Sequence, residues 1–286
     1  MDDPTRKADV LIEALPFLKR FHQQVMVVKL GGEPIEQPEI LDRLLTDLVW
    51  LEQVGVRPVL VHGGGKSISR AMEAAGLTPV FHQGRRVTDA AAMAIVAKEV
   101  DRLNQFLVDR ITALGGCAMP MCPPHLVVTG EILDPGLGLV GNPTAVDRER
   151  LVRFASRGVI PVIPPLSATA DGQLMNTNAD DIALAVARGL DAEKLVFCST
   201  VDGVLRDPKD PTSRFSSLNE IEVRRLVAEG VITAGMIPKV ESCIAALQAG
   251  VRKIHIVNAA RPHTLLLEIF TAAGVGTELQ LAAAKG

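Results

Sequence analysis

The chain lacks the features that would carry it into or across a membrane. It has no run of about 18 uninterrupted apolar residues, the length a bilayer crossing needs. The opening stretch MDDPTRKADV carries acids where a secretory leader wants only bases, and no apolar segment follows it, which predicts a cytoplasmic protein. A charge excess of either sign is missing too. With 30 basic and 33 acidic residues the formal net charge is -3, and the pI is near 6.1. That balance supplies no general attraction to nucleic acid or to an anionic lipid surface. Cysteine is scarce: Cys117, Cys122, Cys198 and Cys243 show no C-x-x-C spacing and are too few for a disulfide framework in 286 residues, which leaves buried thiols. No internal repeat or low-complexity segment is present. What remains is a 48% hydrophobic chain, long enough for one large domain or two lobes, whose business is with small molecules.

Short runs rich in β-branched residues alternate with helical patterns. The runs are VMVVKL (25–30), RPVLVH (57–62), GVIPVI (158–163), KLVFCS (194–199) and KIHIVN (253–258). Helical patterns cover 38–54, 66–75, 89–114, 147–157, 178–189, 219–230 and 238–249. Such alternation predicts an α/β fold, an open and mainly parallel sheet sandwiched by helices, with ligands beyond the carboxyl ends of the strands. The proline- and glycine-rich segment 117–142 breaks the rhythm and reads as hairpins or irregular loops in the first lobe. A glycine-bearing stretch at 164–176 is placed to join two lobes. Residues 7–22 form an amphipathic helix that Pro16 should kink or break, and that either packs on its own domain or reaches a neighbouring subunit.

The stretch VLVHGGGKSISR (59–70) runs from a strand into three glycines, a lysine and a serine. A strict P-loop needs a glycine where Leu60 stands, so that motif fails. A strand ending in Gly63, Gly64 and Gly65 before a helix still gathers backbone N–H groups where an anion can sit. Lys29 ends another strand just before Gly31 and Gly32, glycines that let backbone approach a phosphate. Asn176 and Asn178 precede a helix that begins near Asp180, more polar groups than N-capping alone requires. Lys239 begins a helix, where a cation is disfavoured unless an anion arrives from elsewhere. Arg85 and Arg86 add forks suited to a carboxylate. Together these groups describe a crevice for a phosphate and a carboxylate.

In order and wording, VVKLGG, VLVHGGGKSI, GRRVTD, GVIPVIPPL, MNTNAD, AEKLVFCSTVDGVL, GMIPKVE and RPHTLLLEIFTAAGVGTEL resemble the acetylglutamate kinases of the amino acid kinase family, from about residue 7 to 281. The resemblance implies ATP-dependent phosphorylation of the side-chain carboxylate of N-acetyl-L-glutamate, the second step of arginine biosynthesis. It implies an N-terminal helix (1–22) for oligomerisation or regulation, an N-lobe (23–172) for the amino acid and a C-lobe (173–286) for ATP, with Mg2+ held mainly by the phosphates and no metal ligand from the chain. Lys29 and Lys239 would contact the transferring phosphoryl group, and Asp180 would hold both. Gly31, Gly32, Gly63 and Gly64 would donate N–H groups to the phosphoryl and the acceptor carboxylate. Arg86 and Asn176 would bind the α-carboxylate end of the substrate, while Ser199, Thr200, Val201, Gly235 and Met236 would line the nucleotide site. The helix IEALPFLKRF resembles that of arginine-inhibited relatives, in which such helices interlace between dimers, and this implies a homo-oligomer, dimer or hexamer. L-arginine would then be an inhibitor, with Phe17, His263, Glu268 and Gly276 as its contacts.

Some stretches depart from the family pattern. CAMPMCPPHLVVTGE stands where many relatives have a Ser-Gly-Lys-Asp-Gly loop, and Phe17 stands where tyrosine is frequent, in a chain with no tyrosine. Two alternatives stay open at this stage: a kinase of another acylated or carrier-linked amino acid, and a ligand-binding relative without turnover.

Overall fold

Successive residues of a strand face opposite sides, so a strand apolar throughout must be covered on both. The structure, a computed structural model, describes residues 4–232 and 236–282 and shows how that demand is met. The chain opens with α1 (Pro4–Phe21), β1 (Val25–Leu30), the single turn α2 (Gly32–Ile35) and α3 (Pro38–Gln53). It continues through β2 (Arg57–His62), α4 (Gly65–Ala74), the hairpin β3 (Phe81–His82) and β4 (Arg85–Arg86), and the long α5 (Ala90–Ala113). Next come β5 (Ala118–Pro120), β6 (Val128–Ile132), β7 (Val140–Val146), α6 (Arg148–Ala155), β8 (Ile160–Ile163), β9 (Leu166–Ala168) and β10 (Leu174–Thr177). The last third holds α7 (Ala179–Gly189), β11 (Lys194–Ser199), β12 (Ser217–Asn219), α8 (Glu220–Ala228) and α9 (Ile237–Gln248). It ends with β13 (Ile254–Asn258), α10 (Thr264–Phe270) and β14 (Thr277–Gln280).

Among the described residues eight strands form one sheet in the order β12-β14-β13-β11-β1-β2-β8-β5. Its pairs are parallel except β13 with β14. Val27, Val59, Val61, Leu195 and Phe197 point into one core, which they share with α7 and α9. Val28, Leu30, Leu60, Val196 and Cys198 point into the other, with α3 and α5. This is the open, mainly parallel, helix-covered sheet that the alternating pattern predicts, and β1, β2 and β11 begin and end at the expected residues.

Segment 117–142 leaves the rhythm as expected: β5 adds an edge strand, then β6 and β7 make an antiparallel ribbon that closes with β9 and β10 into a small barrel. The expected lobe boundary at residue 172 falls between β9 and β10, which pair with each other, while β1 and β11 from either side of it are neighbours in the main sheet. Of the kink or break expected at Pro16, the break does not occur, since α1 continues through it. The carbonyl that loses its partner belongs to Ile12, which is 68% exposed and can turn to water. Val10, Leu11 and Leu15 on the same helix are also exposed, whereas Phe21 is buried beside Met26, Ile269 and Phe270. No helix among the described residues is long and apolar enough to cross a membrane.

Candidate active site

Strands β1 and β2 end side by side, with Leu30 in register with His62, so the two glycine stretches that follow them meet. A Cβ on Gly63 would lie 3.4 Å from the Gly32 nitrogen and 3.6 Å from the Leu30 carbonyl, in contact with both loops, which shows how closely they approach. The Gly31 amide donates to Cys198 O (3.2 Å) and the Gly63 amide to Leu30 O (2.9 Å). These two N–H groups, expected to face a ligand, therefore tie strand ends together instead. The amides of Gly32, Gly64 and Gly65 begin α2 and α4, where no intrahelical acceptor exists, and none takes another backbone acceptor among the described residues.

Lys29 follows Val27 on the same side of β1, the side covered by α7 and α9. Its ammonium therefore reaches the start of α7, where Nζ lies 2.6 Å from Asp180 Oδ1. Lys239, from the first turn of α9, comes within 3.5 Å of Asp180 Oδ2 and stands 4.8 Å from the centre of the Phe197 ring. Asn178 caps α7 by accepting the Asp180 amide at 2.7 Å, which fixes the carboxylate between the two lysines. Burial works against the Asp180 charge, but Lys29 and Lys239 outweigh it and hold the carboxyl below its ordinary range. Lys29, Asp180 and Lys239, drawn from three distant parts of the sequence, are thus brought together.

Beside them opens a cleft of about 260 Å³, lined by Gly32, Gly63, Gly64, Gly65, Asn176 and the hairpin residues Phe81, Arg85 and Arg86. Arg86 is 6% exposed and its partners are neutral: Gly65 O and Ser69 Oγ, each at 2.9 Å, and the sulfur of Met72 at 3.3 Å. The Phe81 ring lies 4.6 Å from its guanidinium carbon. Burial pulls its pKa below the ordinary arginine value. No ion pair with a carboxylate forms at Arg86 among the described residues, and Glu73 acts on it only from a distance, so an anion entering the cleft meets a charge with no direct acidic partner. Arg85 differs: Asp181 neutralises it at 2.7 Å and so ties the hairpin to α7. Asn176 donates to Thr88 Oγ1 at 3.0 Å, and Thr88 donates to the Arg86 carbonyl at 2.8 Å, which joins the barrel to the base of the hairpin. Gly138 closes the same junction, with φ +75° and no room for a Cβ against the Thr88 carbonyl.

A second cavity, of about 500 Å³, lies past the end of β11 and includes Thr200, Val201 and Met236 in its lining. Ser199 ends that strand, with Oγ near Val257 O at 3.4 Å, and Gly235 lies outside the described residues. Sequence reasoning missed Asp202 and Asn258, joined at 2.9 Å beside this cavity, because they meet only when β11 and β13 pair. It also missed Asn104. A signal was there: Asn104 interrupts the apolar stripe of α5 formed by Val100, Leu103, Leu107 and Ile111.

The four residues expected as arginine contacts, Phe17, His263, Glu268 and Gly276, do not line one open site among the described residues. Phe17 packs on the Phe21, Ile269 and Phe270 cluster. Glu268 is buried, with Oε1 2.6 Å from His255 Nδ1 and Oε2 accepting from the amides of Val275 (2.6 Å) and Gly276 (2.7 Å). His263, 2.7 Å from Asp47 Oδ1, stands at the opposite end of α10, five residues or about 7.5 Å along the helix.

The family model for the amino acid kinase family matches residues 24–258. The chain is 44% identical to the acetylglutamate kinase of Synechococcus elongatus, over 94% of this chain and 90% of that protein. It is 40% identical to the acetylglutamate kinase of Halothermothrix orenii, over 97% and 98% of the two chains. Among solved structures, N-acetylglutamate synthase from Neisseria gonorrhoeae complexed with coenzyme A and N-acetyl-glutamate superposes with a TM-score of 0.84 at 27% identity. That match covers 96% of this chain, which spans 64% of the synthase's length. The same synthase complexed with coenzyme A and L-arginine gives a TM-score of 0.82 at 26% identity, over 96% of this chain and 66% of that one.

Proposed function

This chain belongs to the amino acid kinase family, and from that premise we propose that it transfers the γ-phosphoryl group of ATP to the side-chain carboxylate of N-acetyl-L-glutamate in arginine biosynthesis. The observation that carries the reading is the Lys29–Asp180–Lys239 bridge set beside Arg86, a buried guanidinium without an acidic partner. A carboxylate with a pKa of about 4.3 is already ionised at neutral pH, so the reaction needs no general base. Its difficulty is that two anions must meet, and fixed positive charge and N–H donors relieve it. A carboxylate oxygen bonds to the γ-phosphorus as the bond from that phosphorus to the ADP oxygen breaks. Lys29 and Lys239 stand where charge moves between the two oxygens, and Asp180 keeps both ammonium groups in place. Arg86 takes the α-carboxylate, with Asn176 beside it.

Mg2+ arriving with ATP offsets phosphate charge. Both oxygens of Asp180 face lysines and Asp181 faces Arg85, so the phosphates are its main ligands. Residues 23–172 hold the amino acid and 173–286 the nucleotide, with Asn176 and Asp180 at the meeting of the two. Hydroxylamine trapping with MgATP tests the reading: a hydroxamate from N-acetylglutamate supports it, and its formation only from another acylated amino acid would move the acceptor. No product from any acceptor would favour a binding protein without turnover.

The exposed apolar residues of α1, namely Val10, Leu11, Ile12 and Leu15, support a homo-oligomer of the cytoplasmic enzyme in which they are covered. Sedimentation of the chain with and without residues 1–22 tests this, and equal masses would refute it. L-arginine inhibition is a second reading, supported by the arginine-bound synthase and by the packing of Phe17 against α10. Because Glu268 is fully engaged, arginine would have to displace one of its partners. Unchanged activity in millimolar arginine would remove this reading alone.

A further inference from the structure

His62 ends β2 directly before the three glycines and is wholly buried, and the reaction above gives it no task. Its ring nonetheless makes two directed contacts. Nδ1 lies 2.9 Å from the Gly63 carbonyl oxygen, and Nε2 lies 3.0 Å from Nδ2 of Asn104. Asn104, equally buried in the middle of α5, also places Nδ2 2.9 Å from the carbonyl of Val162. A carbonyl can only accept, which fixes that Asn104 atom as nitrogen rather than oxygen. The nitrogen carries two hydrogens, one for Val162 and one for His62, so Nε2 is the bare acceptor. A neutral imidazole with bare Nε2 has its proton on Nδ1, which donates it to the Gly63 carbonyl. Burial keeps the ring neutral, pushing its pKa down to about 4.

The consequence reaches the cleft through the backbone. The peptide joining Gly63 to Gly64 is planar and trans, so its N–H points opposite to its carbonyl. Holding the carbonyl on His62 turns the Gly64 N–H away from His62, and Gly64 itself lines the cleft. We propose that His62 and Asn104 are positioning residues for phosphoryl transfer: Asn104 selects the tautomer, His62 anchors the Gly63 carbonyl, and the fixed peptide presents the Gly64 N–H to the reacting anion. The inference rests on the kinase reading above and adds to it two residues that touch neither substrate.

Two substitutions separate positioning from packing. Asparagine places an amide nitrogen near the position of Nδ1, whereas glutamine, closer to histidine in size, reaches toward the position of Nε2 and leaves the Gly63 carbonyl without a donor. Positioning predicts that His62→Asn keeps kcat within about tenfold, while His62→Gln loses about 100-fold with KM for ATP changed less than about threefold. A glutamine variant as active as the asparagine variant, or more active, overturns the proposal. Nitrogen-15 NMR of the histidine-labelled wild-type protein reads the tautomer without any activity. Nδ1 protonated and Nε2 bare from pH 6 to 8 is expected, and the opposite tautomer or a charged ring overturns it even if both variants misfold. Wild-type protein that forms no hydroxamate from N-acetylglutamate would count against the kinase reading, and the NMR result would still decide the tautomer.

Discussion

Two clusters of charge in this molecule follow opposite rules. In the cleft, Lys29, Lys239, Arg85 and Arg86 meet Asp180 and Asp181, so positive charge is in excess. Between α10 and the sheet, Lys194 and Lys253 meet Glu268 and Glu278 around His255, and the charges balance. His255 stays neutral because burial lowers its pKa more than Glu268 raises it. Glu268 has a partner at each oxygen, while Arg86 has only neutral acceptors. A buried charge that the protein does not neutralise is tolerable only where a ligand comes to meet it, whereas a balanced cluster is complete as it stands. The first arrangement is what the proposed transfer requires of its site; the second fastens α10 to the strands beneath it.

That contrast is open to direct attack. The largest effect should follow removal of the cleft's excess charge: Lys29→Ala and Lys239→Ala each lose on the order of 100- to 1000-fold or more in kcat, with unchanged circular dichroism. Near wild-type turnover in either would remove that lysine from the mechanism. In the balanced cluster Glu278→Gln should instead cost stability, about 2 kcal/mol in denaturant unfolding, because two lysines lose a carboxylate, while kcat stays within about twofold. Lost turnover with unchanged stability would erase the distinction. Arg86→Lys keeps the charge and loses the fork, so KM for N-acetylglutamate should rise about tenfold, or about 1.4 kcal/mol, with kcat little changed. An unchanged KM would place the α-carboxylate elsewhere.

The last test reads stability against pH and concerns one buried imidazole in each region. His62, pushed down to about pKa 4, and His255, also lowered by burial, resist protonation in the fold. Unfolded rings take up protons near pH 6.5, so stability is full above that pH and declines as pH drops from about 6.5 toward 4. For His62 the decline is at most about 1.4 kcal/mol per pH unit in that window, and His255 adds to it in the same direction. His62→Asn should show a shallower decline than wild type over the same range, and equal slopes would show that His62 does not resist protonation in the fold.

Much of this was legible in the sequence. The strands of β1, β2 and β11 announced themselves by short, largely apolar runs with β-branched residues, because a strand buried on both faces has few polar positions to blur the pattern. Lys29 stood out by the two glycines that follow it, Asp180 by the two asparagines and second aspartate beside it, and Lys239 as a cation at a helix start. The small barrel was not legible, since β9 and β10 have only three and four residues and, besides pairing with each other, close it on β6 and β7 across the intervening α6 and β8. Nor was the fate of the glycine amides. The residue type permitted four donors, but the register of β1 with β2 and β11 turned Gly31 and Gly63 to protein carbonyls.

The sequence by itself determined the alternation of strands and helices, the two glycine loops at strand ends and the kinds of charge that had to gather there, because each depends on short-range pattern and residue chemistry. The tertiary structure decided which charges remain unpaired. Arg85 and Arg86 are neighbours of the same type, yet one meets Asp181 and the other is buried among neutral groups. Pairing between charges nearly a hundred residues apart depends on how α7 and the β3–β4 hairpin pack, and no local pattern encodes it. The tautomer proposed for His62 depends in the same way on an asparagine from α5 and on the carbonyl of Val162 in β8.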